Sequence, residues 1–511
     1  MTPGARTVAE VLDRWVARAP ERLALVGRSG RFTYEELDRA SNRAAHALAA
    51  LGVTRGERVA ACLPNDVDIV VAFLGAARLG AIWVGINRPL AAPEKAYCLR
   101  DSGARVLLAP ADVIESLAAE RAGLPELAHA VEVAPGSFAR TGDETRPALE
   151  LDPRAPAAIA YTSGTTGFPK GAVHSHHNLL LPGAVAAASG TYGPDVRQGV
   201  LLPLTILNLM VLGPLVAFQD GSALVCIDRV DAEGVAEWVR RERVGHFAAV
   251  PTILYDLLTH PGVKREDLAS LRRPEVGGAE CPEEFRALYR ERFGHEVTIG
   301  YGMTEAPTAV TRSDGAAAPR PGLCGKPVPQ VEIQILDEQG RPVPDGEVGE
   351  ICVAPARTGP WAGVYTPMLG YWKKPLETEQ ALRGGVYHSG DLGFVDERGD
   401  LYIRGRRNEL ILRGGANVYP AEVERVLAEH PAVAASAVLG RPDTRLGQRV
   451  VAAVQLAAGA SAGAEQLAAF VRERLARYKV PEEIVLVAAL PRNAMGKVVK
   501  RELEPLFERR P

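Results

Sequence analysis

The densest run of chemistry-bearing residues is Tyr161-Thr162-Ser163-Gly164-Thr165-Thr166-Gly167-Phe168-Pro169-Lys170-Gly171. It follows an apolar, strand-like run at 157–160 and precedes a helix-like one at 177–188, the position where an open α/β sheet keeps its ligand. Gly164, Gly167 and Gly171 can take backbone conformations closed to other residues, so several N–H groups can converge on one anion. Thr162, Ser163, Thr165 and Thr166 add hydroxyl donors, and Lys170 adds a mobile positive charge. This chemistry suits a phosphate. It is not a Walker A loop, in which Ser or Thr follows the Lys, because Gly171 follows here.

Three further runs carry polar groups in ordered settings. Ile299-Gly300-Tyr301-Gly302-Met303-Thr304-Glu305 is a strand end passing through glycines to a hydroxyl and a carboxylate. Tyr387-His388-Ser389-Gly390-Asp391-Leu392-Gly393 sets a carboxylate after a glycine, a group that can accept two hydrogen bonds at once. Leu490-Pro491-Arg492-Asn493-Ala494-Met495-Gly496-Lys497 places a lysine in a turn close to the C-terminus.

In this order along nearly the whole chain, the runs resemble those of the adenylate-forming superfamily, which comprises acyl-CoA synthetases, nonribosomal adenylation domains and luciferases. The resemblance implies ATP, Mg²⁺ and coenzyme A as reactants and cofactors. It gives Thr304 a contact to the α-phosphate and Glu305 the Mg²⁺, with Tyr301 and Gly302 beside the nucleotide. Gly277-Gly278-Ala279-Glu280-Cys281 matches the segment that borders adenine, so Gly278, Ala279 and Glu280 are expected there. The run from Tyr387 to Gly393 resembles the family's Thr-Gly-Asp segment with Ser389 in place of Thr, so Asp391 is the expected ribose anchor with Arg406 to assist, and Lys497 matches the lysine that swings in to bridge acyl carboxylate and nucleotide. The run from Arg413 to Glu424 resembles the loop and helix of the pantetheine tunnel, which assigns Gly414 and Gly415, with Tyr478, to CoA and favours CoA as acceptor.

By the same analogy the acyl pocket draws on Leu207, Asn208, Val250, Pro251, Tyr255, Gly277, Gly278, Gly300, Met303 and Ala306. The set is mostly apolar and offers no cation for a second carboxylate. Three further positions, at two places in the chain, depart from the family pattern. Thr205 and Ile206 stand where relatives carry an aromatic residue and a His, and the hinge position is Asn408 rather than Asp or Lys. The expectation is an AMP-forming acid:CoA ligase acting on an aromatic, alicyclic or medium-chain acid. The alternative is a free-standing adenylation enzyme that loads the phosphopantetheine arm of a carrier protein, expected as a separate chain. A catalytically silent homologue is the rival of a different class.

The elements that must position these residues read as α/β. Helical spacing at 7–19, 34–51 and 67–79 alternates with strand-like runs at 58–63 and 81–86, and the alternation resumes at 199–202, 223–226, 246–250 and 297–301 between helices such as 232–242 and 282–293. Layered sheets flanked by helices follow from this grammar. From about 325 to 404 the pattern becomes β-rich, and a helix-free stretch is expected up to 402. After 406 helices at 421–429 and 464–475 alternate with strands at 434–439, 450–456 and 484–488, enough for a mobile α+β domain of about a hundred residues. The expected division is therefore an AMP-binding domain at 1–405 and a C-terminal domain at 406–511.

At 511 residues with 47% hydrophobic content, more than one core is required. The net charge of -3, from 59 basic and 62 acidic residues with no block of one sign, argues against a nucleic-acid surface and for small-molecule partners. The six cysteines sit in apolar runs without Cys-x-x-Cys spacing, which reads as reduced thiols and a cytoplasmic setting. No signal segment or apolar span of about 18 residues is evident, so no membrane partner is expected, and a homodimer is allowed. The cluster His174-Ser175-His176-His177 has no acidic or Cys neighbour and reads as a helix start, not a metal site. Glu422 and Glu424 read as capping and solvated helix residues.

Overall fold

A computed structural model describes residues 4–162, 169–272, 274–277, 283–294, 296–313, 322–406, 409–413, 416–443, 446–475, 477–493 and 496–507. They form two compact units, Met1–Ile333 with Val353–His388, and Gln334–Cys352 with Ser389–Pro511. The architecture is mixed α/β, as the alternation of periods requires.

In the first unit one sheet runs, in spatial order, Gly370–Tyr371, Lys170–Ser175, Pro156–Thr162, Ile82–Gly85, Arg58–Ala61, Val106–Ala109 and His129–Glu132. Its inner neighbours are parallel, and the two pairings at the Gly370–Tyr371 end are antiparallel. A second sheet contributes Leu323–Pro327, Ala309–Arg312, Thr298–Gly302, Glu275–Gly277, His246–Ala249, Arg197–Val200, Ala223–Cys226, Leu23–Val26 and Arg31–Thr33 in that order.

Helix Val67–Arg78 is buried along its whole length, which is why its sequence is apolar all round instead of striped. Asp66 caps it by accepting from the Val67 N–H at 2.8 Å. Gly75 lets helix Tyr34–Ala50 come close, since a Cβ there would lie 2.5 Å from Cβ of Ala44.

The segment after Lys170, which the sequence reading left unplaced, is a strand, Lys170–Ser175, antiparallel to Pro156–Thr162, and the helix-like run at 177–188 is a helix that begins at His176. Its start is set by a capping box in which Ser175 Oγ accepts from the Asn178 N–H at 3.1 Å. The stretch expected to be free of helix contains one at Pro375–Ala381.

In the second unit, Gly447–Leu456 pairs antiparallel with Val433–Asp443 and parallel with Glu483–Val487, and Ile411–Arg413 and Ala416–Val418 complete the sheet. Helices Pro420–Ala428 and Ala464–Arg472 bury Val423, Val426, Leu427, Leu467 and Val471 against it. From Ser389 onward strand Tyr387–Val395 belongs to this unit, where it pairs with Leu401–Arg406 from Asp391↔Arg406 to Val395↔Leu401, so positions 405 and 406 lie inside this unit. Glu422 and Glu424 are held by lysines and not merely solvated: Lys479 lies 2.7 Å from Glu422, and Lys500 lies 2.9 Å from Glu424. Cys62, Cys98, Cys226, Cys324 and Cys352 are buried free thiols. Among the described residues no helix is long and apolar enough to cross a membrane.

Candidate active site

The hairpin of Pro156–Thr162 with Lys170–Ser175 sets Thr162 opposite Lys170 and Tyr161 opposite Gly171. Its connection carries Ser163, Gly164, Thr165, Thr166 and Gly167, which lie outside the described residues. Tyr161 donates to Asp101 at 2.7 Å, Tyr97 donates to the Pro169 carbonyl at 3.0 Å, and Trp372 N–H donates to the Gly171 carbonyl at 2.7 Å. These bonds fix both ends of the hairpin.

Strand Thr298–Gly302 delivers Thr304 and Glu305 to the same place. The chain folds back so closely after Gly302 that a Cβ there would meet the Thr308 carbonyl oxygen at 1.8 Å. Glu305 Oε1 accepts from Thr162 Oγ1 at 3.2 Å and from the Tyr371 hydroxyl at 3.0 Å. Lys170 Nζ lies 5.3 Å from the centre of the Tyr371 ring. Burial and then the Glu305 carboxylate push the Tyr371 phenol well above its ordinary pKa, so it stays protonated and donates. Thr162, Lys170 and Glu305 are thus gathered around Tyr371, a residue that the sequence reading did not single out.

Beneath them, His174 is fully buried against the Thr304 backbone, and burial lowers its pKa to about 4. Tyr301, opposite Thr311 on the neighbouring strand, and Met303 pack against a core of Ala306, Val310, Tyr365 and Met368.

The remaining positions assigned to the acid are more dispersed. Gly277 and Gly300 are register partners on adjacent parallel strands. Val250 precedes helix Pro251–Thr259, on which Tyr255 is 47% exposed. Leu207 is buried in the largest core, and Asn208 Oδ1 is buried without a described partner. Both lie on the short helix Leu207–Met210, which continues into a π-helical turn at Val211–Leu215 where Pro214 supplies no N–H. Gly278, Ala279 and Glu280 lie outside the described residues.

In the second unit, Asp391 is buried and its Oδ1 lies 3.1 Å from Arg406 Nε. Gly390, at φ 71°, makes the turn, and the Asp391 N–H donates to Ser389 Oγ at 3.0 Å. Lys497 follows a tight turn in which its own N–H donates to Asn493 Oδ1 at 3.0 Å. The residue is exposed as a whole, yet packing around its ammonium end, and then Arg406, lower its pKa, while Asp391 pulls the other way. Lys497 therefore shares the surroundings of Asp391 and Arg406. Tyr478 is part of a turn whose carbonyl accepts from Arg413 at 2.9 Å. Asn408, Gly414 and Gly415 lie outside the described residues.

Residues 12–372 match the family model of the AMP-binding enzymes, and residues 422–497 match that of the AMP-binding enzyme C-terminal domain. The chain belongs to the AMP-binding enzyme family. Within it, the chain is 34% identical to a fatty acid–[acyl-carrier-protein] ligase, ScoC, of Streptomyces coeruleorubidus, over 99% of this chain and 97% of the relative. It is 35% identical to a feruloyl-CoA synthase of Amycolatopsis sp, over 97% and 99%. The crystal structure of the anthranilate CoA ligase AuaEII in complex with anthranoyl-AMP matches with a TM-score of 0.87 at 28% identity, covering 98% of this chain and 97% of that one. The protein is an adenylate-forming enzyme of the acyl-CoA synthetase branch, an AMP-forming acid–thiol ligase that binds ATP.

Proposed function

We propose that the protein joins an aromatic, alicyclic or medium-chain carboxylic acid to coenzyme A at the expense of ATP, in a cytoplasmic setting. The observation that carries this reading is the gathering of Thr162, Lys170 and Glu305 around one ring, in a chain similar over its full length to acid ligases. A carboxylate does not react with a thiol because its leaving group would be oxide. Activation solves this: a carboxylate oxygen attacks the α-phosphorus of ATP, pyrophosphate leaves, and the thiol sulfur then attacks the acyl carbon of the acyl-adenylate and expels AMP.

Charge builds on the phosphate oxygens in the first step, so donors fixed beforehand lower its barrier. Lys170, Thr162 and Thr304 are the donors assigned to that task, with Ser163, Gly164, Thr165, Thr166 and Gly167 around the phosphates. Gly278, Ala279, Glu280, Tyr301 and Gly302 line the nucleotide, and Asp391 with Arg406 holds the ribose. Glu305 is a suitable Mg²⁺ ligand, since its carboxylate stands among hydroxyls and Mg²⁺ commonly takes one or two carboxylates together with substrate phosphates. The ion supplies neutralisation of phosphate charge when bound. Lys497 bridges acid and nucleotide in adenylation. For the second step, residues 406–511 turn about Asn408 to present Gly414, Gly415 and Tyr478 to the pantetheine arm.

The similarity to an acyl-carrier-protein ligase keeps a carrier thiol as a second reading of the acceptor. Acid-dependent pyrophosphate release tests the first step, and thioester formation with CoA against a phosphopantetheinylated carrier protein tests the second. CoA is expected to support the faster turnover, and turnover confined to the carrier would overturn CoA as the substrate.

A further inference from the structure

The segment 368–372 is stitched to both halves of the proposed phosphate site. Met368 N–H donates to the Glu305 carbonyl at 2.9 Å, while Leu369 and Trp372 N–H groups donate to the Val173 and Gly171 carbonyls, each at 2.7 Å. Tyr371 sits at its centre as the register partner of Ala172. Its own N–H, pointing the other way, donates to Thr378 Oγ1 at 2.8 Å, and that hydroxyl donates to the Lys374 carbonyl at 2.7 Å. The backbone of Tyr371 is therefore pinned on both sides, and its ring projects from a fixed base.

That ring meets both charged groups of the site. Its hydroxyl reaches Glu305 Oε1 at 3.0 Å, and its face lies 5.3 Å from Lys170 Nζ. Thr162 donates to the same Oε1. Without the ring, two opposite charges, one on strand Lys170–Ser175 and one on the bend after Thr298–Gly302, would have no common anchor. A flexible carboxylate and a flexible ammonium would each have to be ordered when ATP arrives, at a cost in affinity.

We propose that Tyr371 is a positioning residue for adenylation, its hydroxyl aiming the Glu305 carboxylate and its ring face seating the Lys170 ammonium group. The inference rests on the reading of Glu305 and Lys170 as phosphate-site groups and adds the device that holds them ready.

Two substitutions separate its contact to Glu305 from its contact to Lys170. Tyr371→Phe removes the hydroxyl and keeps the ring, whereas Tyr371→Leu removes both. Acid-dependent ATP–pyrophosphate exchange is measured against Mg²⁺ concentration, and binding of a non-hydrolysable ATP analogue is measured by calorimetry with and without Mg²⁺. Tyr371→Phe is expected to raise the Mg²⁺ half-saturation about tenfold, the scale of a lost hydrogen bond to a charged group, and to leave metal-free analogue binding unchanged. Tyr371→Leu is expected to weaken metal-free binding as well, through Lys170. Thioester formation from supplied acyl-adenylate should change less than about twofold in both, because only the first step uses these groups. Thr378→Val, which frees the Tyr371 N–H without touching the site, should shift Mg²⁺ dependence in the same direction and by less. Wild-type Mg²⁺ dependence in folded Tyr371→Phe, or in Thr378→Val should the former not fold, would overturn the proposal. Failure of the wild-type enzyme to exchange pyrophosphate with any acid would overturn the ligase reading instead.

Discussion

Asp391 and Arg406 face each other across a hairpin, with Oδ1 and Nε 3.1 Å apart. The carboxylate side chain is 10% exposed and the guanidinium 55%, so the arginine side faces solvent while the acid is held inside. A buried carboxylate needs its partners, and this one also offers acceptor capacity for two ribose hydroxyls. Wild-type enzyme should therefore discriminate against 2′-deoxy-ATP, and Asp391→Asn should lower kcat/KM for ATP by about 10- to 100-fold while abolishing that discrimination. Steady-state kinetics with both nucleotides checks this. Undiminished discrimination in Asp391→Asn would remove the ribose assignment.

The lowered pKa of Lys497 reflects crowding and then the Arg406 guanidinium, with Asp391 pulling the other way. A lysine assigned to acid and nucleotide acts while pyrophosphate is still in place and has no part in thiol attack. Lys497→Ala should reduce acyl-adenylate formation by about a hundred- to a thousandfold, the range for removal of a charge-stabilising group, yet retain thioester formation from supplied acyl-adenylate. Equal losses in the two assays would contradict the division of labour. Acetylation of Lys497 removes the same charge and should silence the first step alone.

Two buried histidines make stability fall in mild acid. His174 and His176 have pKa values lowered to about 4, in both cases mainly by burial, against 6.5 for an ordinary histidine. The unfolded chain therefore binds protons below pH 6.5 that the folded chain refuses. Their stabilisation is complete above 6.5 and is lost as pH falls towards 4, by up to about 3 kcal/mol each. Asp68, raised by burial, opposes part of this loss. The clean measurement is a difference: urea midpoints at pH 7 and pH 4.5 for wild type and His174→Leu. The pH-dependent drop should be smaller in the variant, and an unchanged drop would show that His174 is protonated in the fold.

The groups proposed to hold the phosphates stood out in the sequence because each lies in a short run that carries its own glycines and hydroxyls. Thr162 and Lys170 flank one loop, and Thr304 and Glu305 follow one strand end. Tyr371 was not legible, because it reaches Glu305 from 66 residues away on a two-residue strand that leaves no periodic trace. Strand Lys170–Ser175 escaped for a related reason: from Gly171 to Ser175 every residue is buried, so no alternation marks it. Helix Pro375–Ala381 buries none of its residues, and a helix without a buried face carries no apolar stripe to read. The capping box that starts the helix at His176 is local, by contrast, and its Ser175 and Asn178 stand three residues apart in the sequence.

The identity of the acid is open to one decisive panel. Gly277 and Gly300 are neighbours across two parallel strands, so the sheet carries no side chain over both positions. A Cβ at Gly277 would lie 3.1 Å from the Gly300 carbonyl oxygen, a fit with little room to spare. A bare sheet face of this kind suits a planar or chair-shaped ring lying flat, and Ile206, assigned to the same pocket, adds bulk tolerance and little polarity. We expect kcat/KM to fall in the order benzoate- or cyclohexane-type acids, then octanoate and hexanoate, then succinate. Ring against chain should differ by only about 10- to 100-fold, because an apolar pocket discriminates at about 1 to 3 kcal/mol. Succinate should fare far worse, since its second carboxylate would be buried without a cation at a cost of several kcal/mol. Gly277→Ala should lower kcat/KM for ring acids more than for octanoate, whose chain can shift past a methyl group. A preference for octanoate would overturn the flat slot alone, whereas a preference for succinate would overturn the apolar pocket with it.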